Sequence, residues 1–218
     1  MWKVLWVSGI FLLLGVNNSQ AQFLPFLEWV QSFFGSFEEP PYVVNRTIAT
    51  DVEYRVYSPQ NWTCIEEFLT SRKRDEKTPE MFMALFSYIQ GKNKQSRRIS
   101  MTVPVSTLVD HRNGDLNLYR MCFYLPKDFQ DNPPIPTNHK LKIVSRPELQ
   151  VYSRRFGGYT SEEVMTEQMK ILKDALATNG LKYLEEDQGP RAMHYINGYD
   201  APTKFWNRRN EIWLLAAP

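Results

Sequence analysis

The order of segments along the chain repeats, and this repeat limits the fold more than any other feature of the sequence. In each half, alternating strand patterns surround one amphipathic helix. The strand patterns lie at residues 52–57, 62–68, 99–105, 116–125, 140–144, 148–156, 192–199 and 210–215. Two halves of roughly ninety residues predict an α+β domain with a duplicated βαββ-type unit. A distorted antiparallel β-barrel, closed or nearly closed, with two flanking helices would leave no exposed sheet edge.

Local signals predict where these elements begin and break. Thr78 followed by Pro79 is typical of a helix start, with proline in the first helical position. Thr160 and Glu163 have the spacing of a capping box, which predicts the start of the second helix. Pro104 interrupts the 99–105 strand and indicates a sheet edge or a bulge there.

The first 21 residues have the pattern of a secretory signal peptide. Lys3 precedes an apolar run at residues 4–16, and Ser19 and Ala21 supply the small residues before a cleavage site. The alternative of a buried N-terminal helix would need polar residues at helical spacing, and this run has none. We therefore expect cleavage after Ala21, a secreted extracellular protein, and no integral membrane segment after cleavage.

Residues 22–39 are predicted to form an amphipathic helix with an aromatic stripe, and residues 40–218 the main domain. The stripe consists of Phe23, Phe26, Leu27, Val30, Phe33, Phe34 and Phe37. This helix could pack on the domain, or residues 22–37 could bind a membrane surface or a protein partner. Its polar face lacks the lysines and arginines that anionic lipid attracts.

Two sequons and two cysteines agree with export. Asn45 and Asn61 each begin an N-glycosylation acceptor without proline in the middle position. A bridge between Cys64 and Cys122 would close a loop of about sixty residues and stabilise the fold by up to ~4 kcal/mol. The alternative is two separate core cysteines, which the sequence leaves open because it does not show whether the Cα atoms lie within ~7 Å.

Charge and motifs exclude several functions. The formal net charge of +2 argues against nucleic-acid binding, which needs a basic face. His111, His139 and His194 lie in no known catalytic motif, and neither a zinc-ligand spacing nor a glycine-rich phosphate loop is present. The sequence therefore predicts neither an enzyme nor a resident structural metal.

Six ordered motifs resemble those of the SOUL, or haem-binding protein 1/2, family. They lie at residues 82–93, 99–105, 123–126 with 133–136, 156–159, 198–202 and 207–214, so the likeness covers about residues 41–216. The resemblance implies a distorted antiparallel β-barrel with two helices and a duplicated unit. It also implies that haem or another tetrapyrrole is the bound ligand.

A porphyrin needs apolar walls for its faces and cations for its propionates. The first helix offers Phe82, Met83 and Phe86, and the resemblance implies a propionate-binding role for Lys204, with Arg208 nearby. The alternative is that Phe82 and Phe86 belong to the core and that Lys204 is solvated.

Val56 leaves the axial ligand of the haem iron undecided. Some family members carry a histidine where this chain has Val56, and valine does not bind iron. His194 could replace that histidine only if its strand faces the ligand. Two functions follow: a secreted haem carrier or scavenger, or an extracellular protein-interaction module that keeps the fold without binding haem.

Overall fold

The computed structural model describes residues 37–111, 116–184, 193–201, 204 and 206–217. Over these residues the chain forms a nine-stranded antiparallel sheet and two α-helices, which confirms the predicted α+β class. The predicted signal peptide at 1–21 and nearly all of the predicted helix at 22–39 lie outside the described residues, so both stay predictions.

The strands and helices have the following bounds. The strands are β1 Tyr42–Ala49, β2 Val52–Tyr57, β3 Gln60–Thr70, β4 Val105–His111, β5 Leu116–Tyr124, β6 Leu141–Arg146, β7 Leu149–Phe156, β8 Met193–Gly198 and β9 Asn210–Leu215. The helices are α1 Ser71–Ile89 and α2 Glu162–Thr178, and a 3-10 turn spans Lys127–Phe129. Among the described helices, none is long and apolar enough to cross a membrane.

The strand order is β1-β2-β7-β9-β8-β4-β5-β3-β6. After β1, each half of the chain supplies two strands, a helix and two strands. The strand order from β2 to β6 is symmetric between the two halves. If β2, β3, β4 and β5 are exchanged for β6, β7, β8 and β9, the same order is obtained in the opposite direction. Each half is therefore a ββαββ unit, with one more strand before the helix than predicted. The origin of the two halves by duplication stays a prediction.

Helix α1 begins at Ser71, so the start predicted at Thr78 is wrong and Pro79 lies inside the helix. Proline has no N–H to donate to the carbonyl of Asp75, which lies four residues earlier. The helix tolerates this loss because its first two turns are charged and mostly exposed to water. The Thr78 hydroxyl also donates to the Arg74 carbonyl at 2.8 Å.

Two further boundaries differ from the prediction. The strand predicted at 99–105 is wrong for most of its length, because Pro104 has no N–H for the ladder and β4 begins only at Val105. Thr102 instead forms an isolated bridge with Glu38. The cap of α2 is Ser161, one residue after the predicted Thr160, and its hydroxyl accepts from the Val164 N–H at 3.3 Å.

The predicted barrel is not confirmed, because β1 and β6 remain as the two edges of the described sheet. The sheet nevertheless curls strongly. Arg146 on β6 lies 5.1 Å from the ring of Tyr195 on β8, four strands away. Four strand spacings amount to about 19 Å in a flat sheet, too far for two side chains to meet. One face of the sheet is therefore concave.

Both helices pack on the opposite face. Helix α1 lies on β3 and β5, and α2 lies on β7 and β9 with a contact to β1. Leu172 and Leu176 of α2 are fully buried against Ile212 and Leu214 of β9. These apolar contacts place α2 over one half of the sheet and leave the central strands accessible between the two helices.

The concave face holds aromatic side chains and the disulfide. Tyr57 stacks on Trp213 with ring centroids 4.8 Å apart, and Tyr195 packs against the same indole. Cys64 and Cys122 are directly paired on β3 and β5, with Cα atoms 4.1 Å apart, and they form a disulfide. The predicted bridge is thereby confirmed, because strand register brings the two cysteines together.

A buried carboxylate joins the strands on this concave face. Glu211 has no exposed surface, and its oxygens accept six hydrogen bonds from five side chains. The donors are Arg55 at 2.8 Å, Ser153 at 3.2 Å, Tyr199 at 2.9 Å, Trp213 at 2.8 Å and Arg209 at 2.9 and 3.1 Å. Burial opposes the charge, but the Arg55 and Arg209 guanidiniums outweigh it and hold the pKa of Glu211 below its ordinary value.

Glu211→Gln should therefore lower the free energy of unfolding by about 3–5 kcal/mol, because it removes the fully buried carboxylate that Arg55 and Arg209 share and leaves each only a partly exposed partner, Glu53 or Glu39. Urea unfolding followed by tryptophan fluorescence measures the change. Glu76→Gln, an exposed carboxylate on α1, is the matched control and should change stability by less than about 0.5 kcal/mol. A loss below 1 kcal/mol for Glu211→Gln would contradict the proposed role of the carboxylate.

Candidate functional site

A cleft of about 490 Å³ opens on the helix-bearing face, between the first turn of α1, the inner side of α2 and the central strands. This volume falls within the range of about 300–1,000 Å³ that is usual for small-molecule sites. Its apolar lining includes Val109, Tyr119, Met165, Met169, Met193, Ile196, Ile212 and Leu214.

Strand register builds the floor of the cleft. Tyr119, Val109, His194 and Leu214 are paired side by side across β5, β4, β8 and β9. Directly opposite residues point to the same side of a sheet, so this row forms one continuous surface. Three strand spacings make it about 14 Å wide. The floor is therefore four strands wide and mainly apolar, as the face of a porphyrin requires.

Two imidazoles meet on this floor. The rings of His111 and His194 stack with centroids 5.2 Å apart and an interplanar angle of 25°. His111 Nδ1 lies 3.2 Å from Asn117 Oδ1, while the amide nitrogen of Asn117 faces the Ser71 hydroxyl at 3.4 Å. Because an amide oxygen only accepts, His111 Nδ1 is the donor in this contact.

His194 is neutral at physiological pH. Burial is the main cause that lowers the pKa of His194 to about 3, and the nearby side chains of His111, Lys173 and Arg74 act in the same direction. Neutral imidazole is the form that binds metals, including haem iron. Arg74 of α1 and Lys173 of α2 also line the cleft and supply two cations beside its apolar floor.

The aromatic residues predicted from α1 do not line this cleft. Phe82 stacks on Phe86 at 6.0 Å and meets Phe123 of β5 edge-on at 5.3 Å. Phe86 is buried, whereas Met83 is half exposed on the outer side of the helix. The structure therefore brings Phe82 and Phe86 together as part of the packing between α1 and the sheet.

The two predicted cations lie together in the turn after β8. Lys204 Nζ pairs with Asp200 at 2.6 Å. Arg208 donates to the carbonyls of Ala201 at 2.6 Å and Lys204 at 2.9 Å, and its guanidinium covers the Tyr159 ring at 4.7 Å. Neither side chain lines the cleft between the helices. Their role at a propionate stays a prediction.

Sequence reasoning did not identify His111, Arg74 and Lys173 as cleft residues. His194 was considered as an iron ligand only on the condition that its strand faces the pocket, and it lines this cleft. His111 and His194 are distant in sequence, and only the pairing of β4 with β8 brings them together. Met165, Met169 and Lys173 at four-residue spacing are the one local signal that could have indicated this face of α2.

Comparison with known proteins places this chain among haem-binding proteins. The SOUL heme-binding protein family model matches residues 37–215. Heme-binding protein 1 of Sus scrofa is 31% identical over 189 residues, which cover 85% of this chain and 96% of that protein. Heme-binding protein 2 of Homo sapiens is 33% identical over 165 residues, which cover 75% and 77%.

A solved structure also shares the fold. A hydrolase from Listeria innocua superposes with a TM-score of 0.55 at 14% identity, covering 77% of this chain and 92% of that one. At this identity the likeness concerns the fold alone.

The antiparallel sheet, the two helices on one face and the cleft beneath them define an α+β domain with a cleft of ligand-binding size. This chain belongs to the SOUL haem-binding protein family, as the family model and both relatives show, and the predicted family is confirmed. Both relatives carry the names of binding proteins, which agrees with the predicted non-enzymatic function.

The low pKa of His194 makes stability depend on pH. The unfolded chain binds a proton at this imidazole below pH 6.5, and the folded chain binds one only near pH 3. The free energy of unfolding should therefore fall by about 1 kcal/mol per pH unit as the pH drops below 6.5. His194→Leu should remove this contribution, as measured by urea unfolding between pH 6.5 and 4.5.

The exposed His139 provides the control for that experiment. His139→Leu should keep the pH dependence of the unmodified chain. Parallel stability curves for the His194 variant and the unmodified chain would show that the imidazole titrates normally in the fold.

Proposed function

We propose that this chain is a non-enzymatic binding protein for haem or a related tetrapyrrole, and that the ligand lies in the cleft between α1 and α2. One observation carries the proposal: a broad apolar floor, two stacked imidazoles and two cations share one cleft of about 490 Å³. Membership of the SOUL family supports the ligand class.

The residues of the cleft fit the chemistry of haem. Bound haem supplies an iron that takes up a neutral imidazole nitrogen, and His194 is held in that form. Met165, Met169 and the floor residues exclude water from the apolar faces of the ring. Arg74 and Lys173 provide charge-assisted hydrogen bonds for the propionate carboxylates.

The set predicted from the family resemblance is a second location for the same ligand. It consists of Phe82, Met83, Phe86, Lys204 and Arg208. Val105 of β4 is paired with Phe123 of β5 on one side and with Gly198 of β8 on the other. Phe82 of α1 packs on Phe123, and the turn that carries Lys204 follows Gly198, so the two parts of this set lie about two strand spacings apart. Lys204 is paired with Asp200 and Arg74 of the cleft is paired with Asp75, so ion pairing of the cations does not decide between the two locations.

Haemin titration separates the two locations. The unmodified chain should show a saturable Soret change, and His194→Ala should weaken binding about tenfold and alter the spectrum, because the iron loses its imidazole. Lys204→Ala is the matched comparison and should leave the affinity within twofold. The reverse pattern, with loss only in Lys204→Ala, would place haem at the α1 location, and a non-saturable change would contradict haem binding altogether.

The carrier or scavenger role depends on export. We infer secretion from the signal pattern at residues 1–21 and from the family domain, which begins only at residue 37. The Cys64–Cys122 disulfide supports the inference, because such bridges persist in oxidising compartments. An exported haem-binding protein would hold the ligand in an apolar cleft away from water.

The two sequons differ in their surroundings. Asn45 is exposed on β1, at a register shift where it has no partner in β2. Asn61 is half-buried, and its amide nitrogen donates to the Gln130 carbonyl at 2.7 Å. A glycan attached to that nitrogen would disturb this contact, so Asn45 is the better acceptor.

Secretion from mammalian cells should therefore give one N-linked glycan, at Asn45. Enzymatic deglycosylation should shift the mobility of the unmodified chain and of Asn61→Gln, but not that of Asn45→Gln. Retention of the chain inside the cells, or secretion without any shift, would contradict the glycoprotein assignment.

The second candidate is an extracellular protein-interaction module. It is favoured by β1, an edge strand on which Val43 is 64% exposed and Val44 is 43% exposed. This strand follows residues 22–37, for which binding of a protein partner is one of the predicted alternatives. The candidate requires that haemin give no saturable binding, so the titration described above decides between the two functions.

A further inference from the structure

Arg146, at the end of β6, carries a buried charge on the concave face. Only 8% of the residue is exposed. Its guanidinium lies 3.9 Å from the Trp62 ring centroid and 5.1 Å from that of Tyr195. One terminal nitrogen donates to the Ser106 hydroxyl at 3.2 Å, while the other has no hydrogen-bond partner in the part of the chain that the structure describes.

No carboxylate compensates this charge. Over the described residues, Arg146 forms no ion pair. The nearby Arg120 is also positive and repels the Arg146 charge, which, in addition to burial, lowers the pKa of Arg146 further. Burial lowers the pKa of Arg146 to about 10, so the group is still charged at neutral pH. The Trp62 and Tyr195 rings offset part of the cost of burying this charge. A buried charge without a counterion costs more than this offset.

Asn197 of β8 adds a second unsatisfied group beside it. The residue is fully buried, and neither its amide oxygen nor its amide nitrogen has a partner among the described residues. Asn197 is paired directly with Ser106 of β4, so the two side chains point to the same face with Cβ atoms about 5 Å apart. Ser106 therefore links the environment of Arg146 with that of Asn197.

We propose that Arg146, Ser106 and Asn197 form a binding site for a small monovalent anion of chloride size. The free guanidinium nitrogen and the Asn197 amide nitrogen are its hydrogen-bond donors. Positive charge selects an anion over water, and the complete burial of Ser106 and Asn197 limits its size. The site lies on the opposite face from the cleft, so it is independent of haem binding.

The bound anion would have a structural effect. Arg146 belongs to the edge strand β6, whereas Ser106 and Asn197 belong to the central strands β4 and β8. An anion held between them ties the sheet edge to its centre across the concave face. Anion binding should therefore stabilise the curled sheet, because it occurs only in the folded chain.

Thermal unfolding of the full mature chain tests this proposal. The protein is compared in sodium chloride, sodium bromide and sodium gluconate at equal ionic strength. The Tm should rise by about 5 °C in saturating chloride or bromide relative to gluconate, whose anion is too large for the site. Arg146→Met should abolish this difference, and Arg72→Met, which removes an exposed arginine of α1, should keep it.

Two measurements keep the test decisive if Arg146→Met fails to fold. Ser106→Ala keeps the charge and should shift the chloride midpoint to a higher concentration by about fivefold. Crystals grown in bromide should show an anomalous peak between the Arg146 guanidinium and the Asn197 amide. Equal Tm values in chloride and gluconate for the unmodified chain, or bromide crystals without that peak, would overturn the proposal.

Discussion

The carboxylate of Glu211 is the contact on which the arrangement of the central strands depends. It accepts hydrogen bonds from Arg55 on β2, Ser153 on β7 and Trp213 on β9, and also from Tyr199 and Arg209 in the connection between β8 and β9. A buried carboxylate cannot exchange these donors for water, so a shift of β2 or β7 relative to β9 would leave it with fewer hydrogen bonds. The register of β9 against β7 and β8 is therefore strongly specified.

That register determines what the other face presents. Successive residues of a strand point to opposite sides, so Glu211 and Trp213 on the concave face oblige Ile212 and Leu214 to face the helices. Leu214 is in turn paired with His194, whose neighbour Tyr195 belongs to the concave cluster. The charged network on one side thus positions the cleft floor on the other. On β9 the charged side chain thus faces the concave side, and the side chains that form the cleft floor are apolar or neutral.

The sequence predicted the elements whose signals are local. The disulfided strands β3 and β5, strand β7 and helix α2 follow from alternation and helical spacing. The start of α1 was wrong because Pro79 sits inside an exposed helical turn, and β1 was missed because most of its residues face water on both sides. The cleft could not be predicted, since its two imidazoles meet only through the pairing of β4 with β8. The alternation of a single strand shows which of its residues face the core, but not which distant strand it pairs with.

The motifs that identify the family mainly serve the fold. Within them, Glu211 anchors the strands, Asn210 donates to the Gly158 carbonyl at 2.8 Å, and Thr102 donates to the Tyr124 carbonyl at 2.7 Å. Of the residues that line the cleft, only Ile212 and Leu214 belong to these motifs. His111, His194, Arg74 and Lys173 lie outside them. The residues that carry the family resemblance and the residues that line the cleft are therefore largely different sets, so under the proposed function the fold and the ligand depend on different parts of the chain. If the proposed site is right, substitutions at these four cleft residues should change ligand binding and leave the hydrogen bonds of Glu211 on the concave face intact.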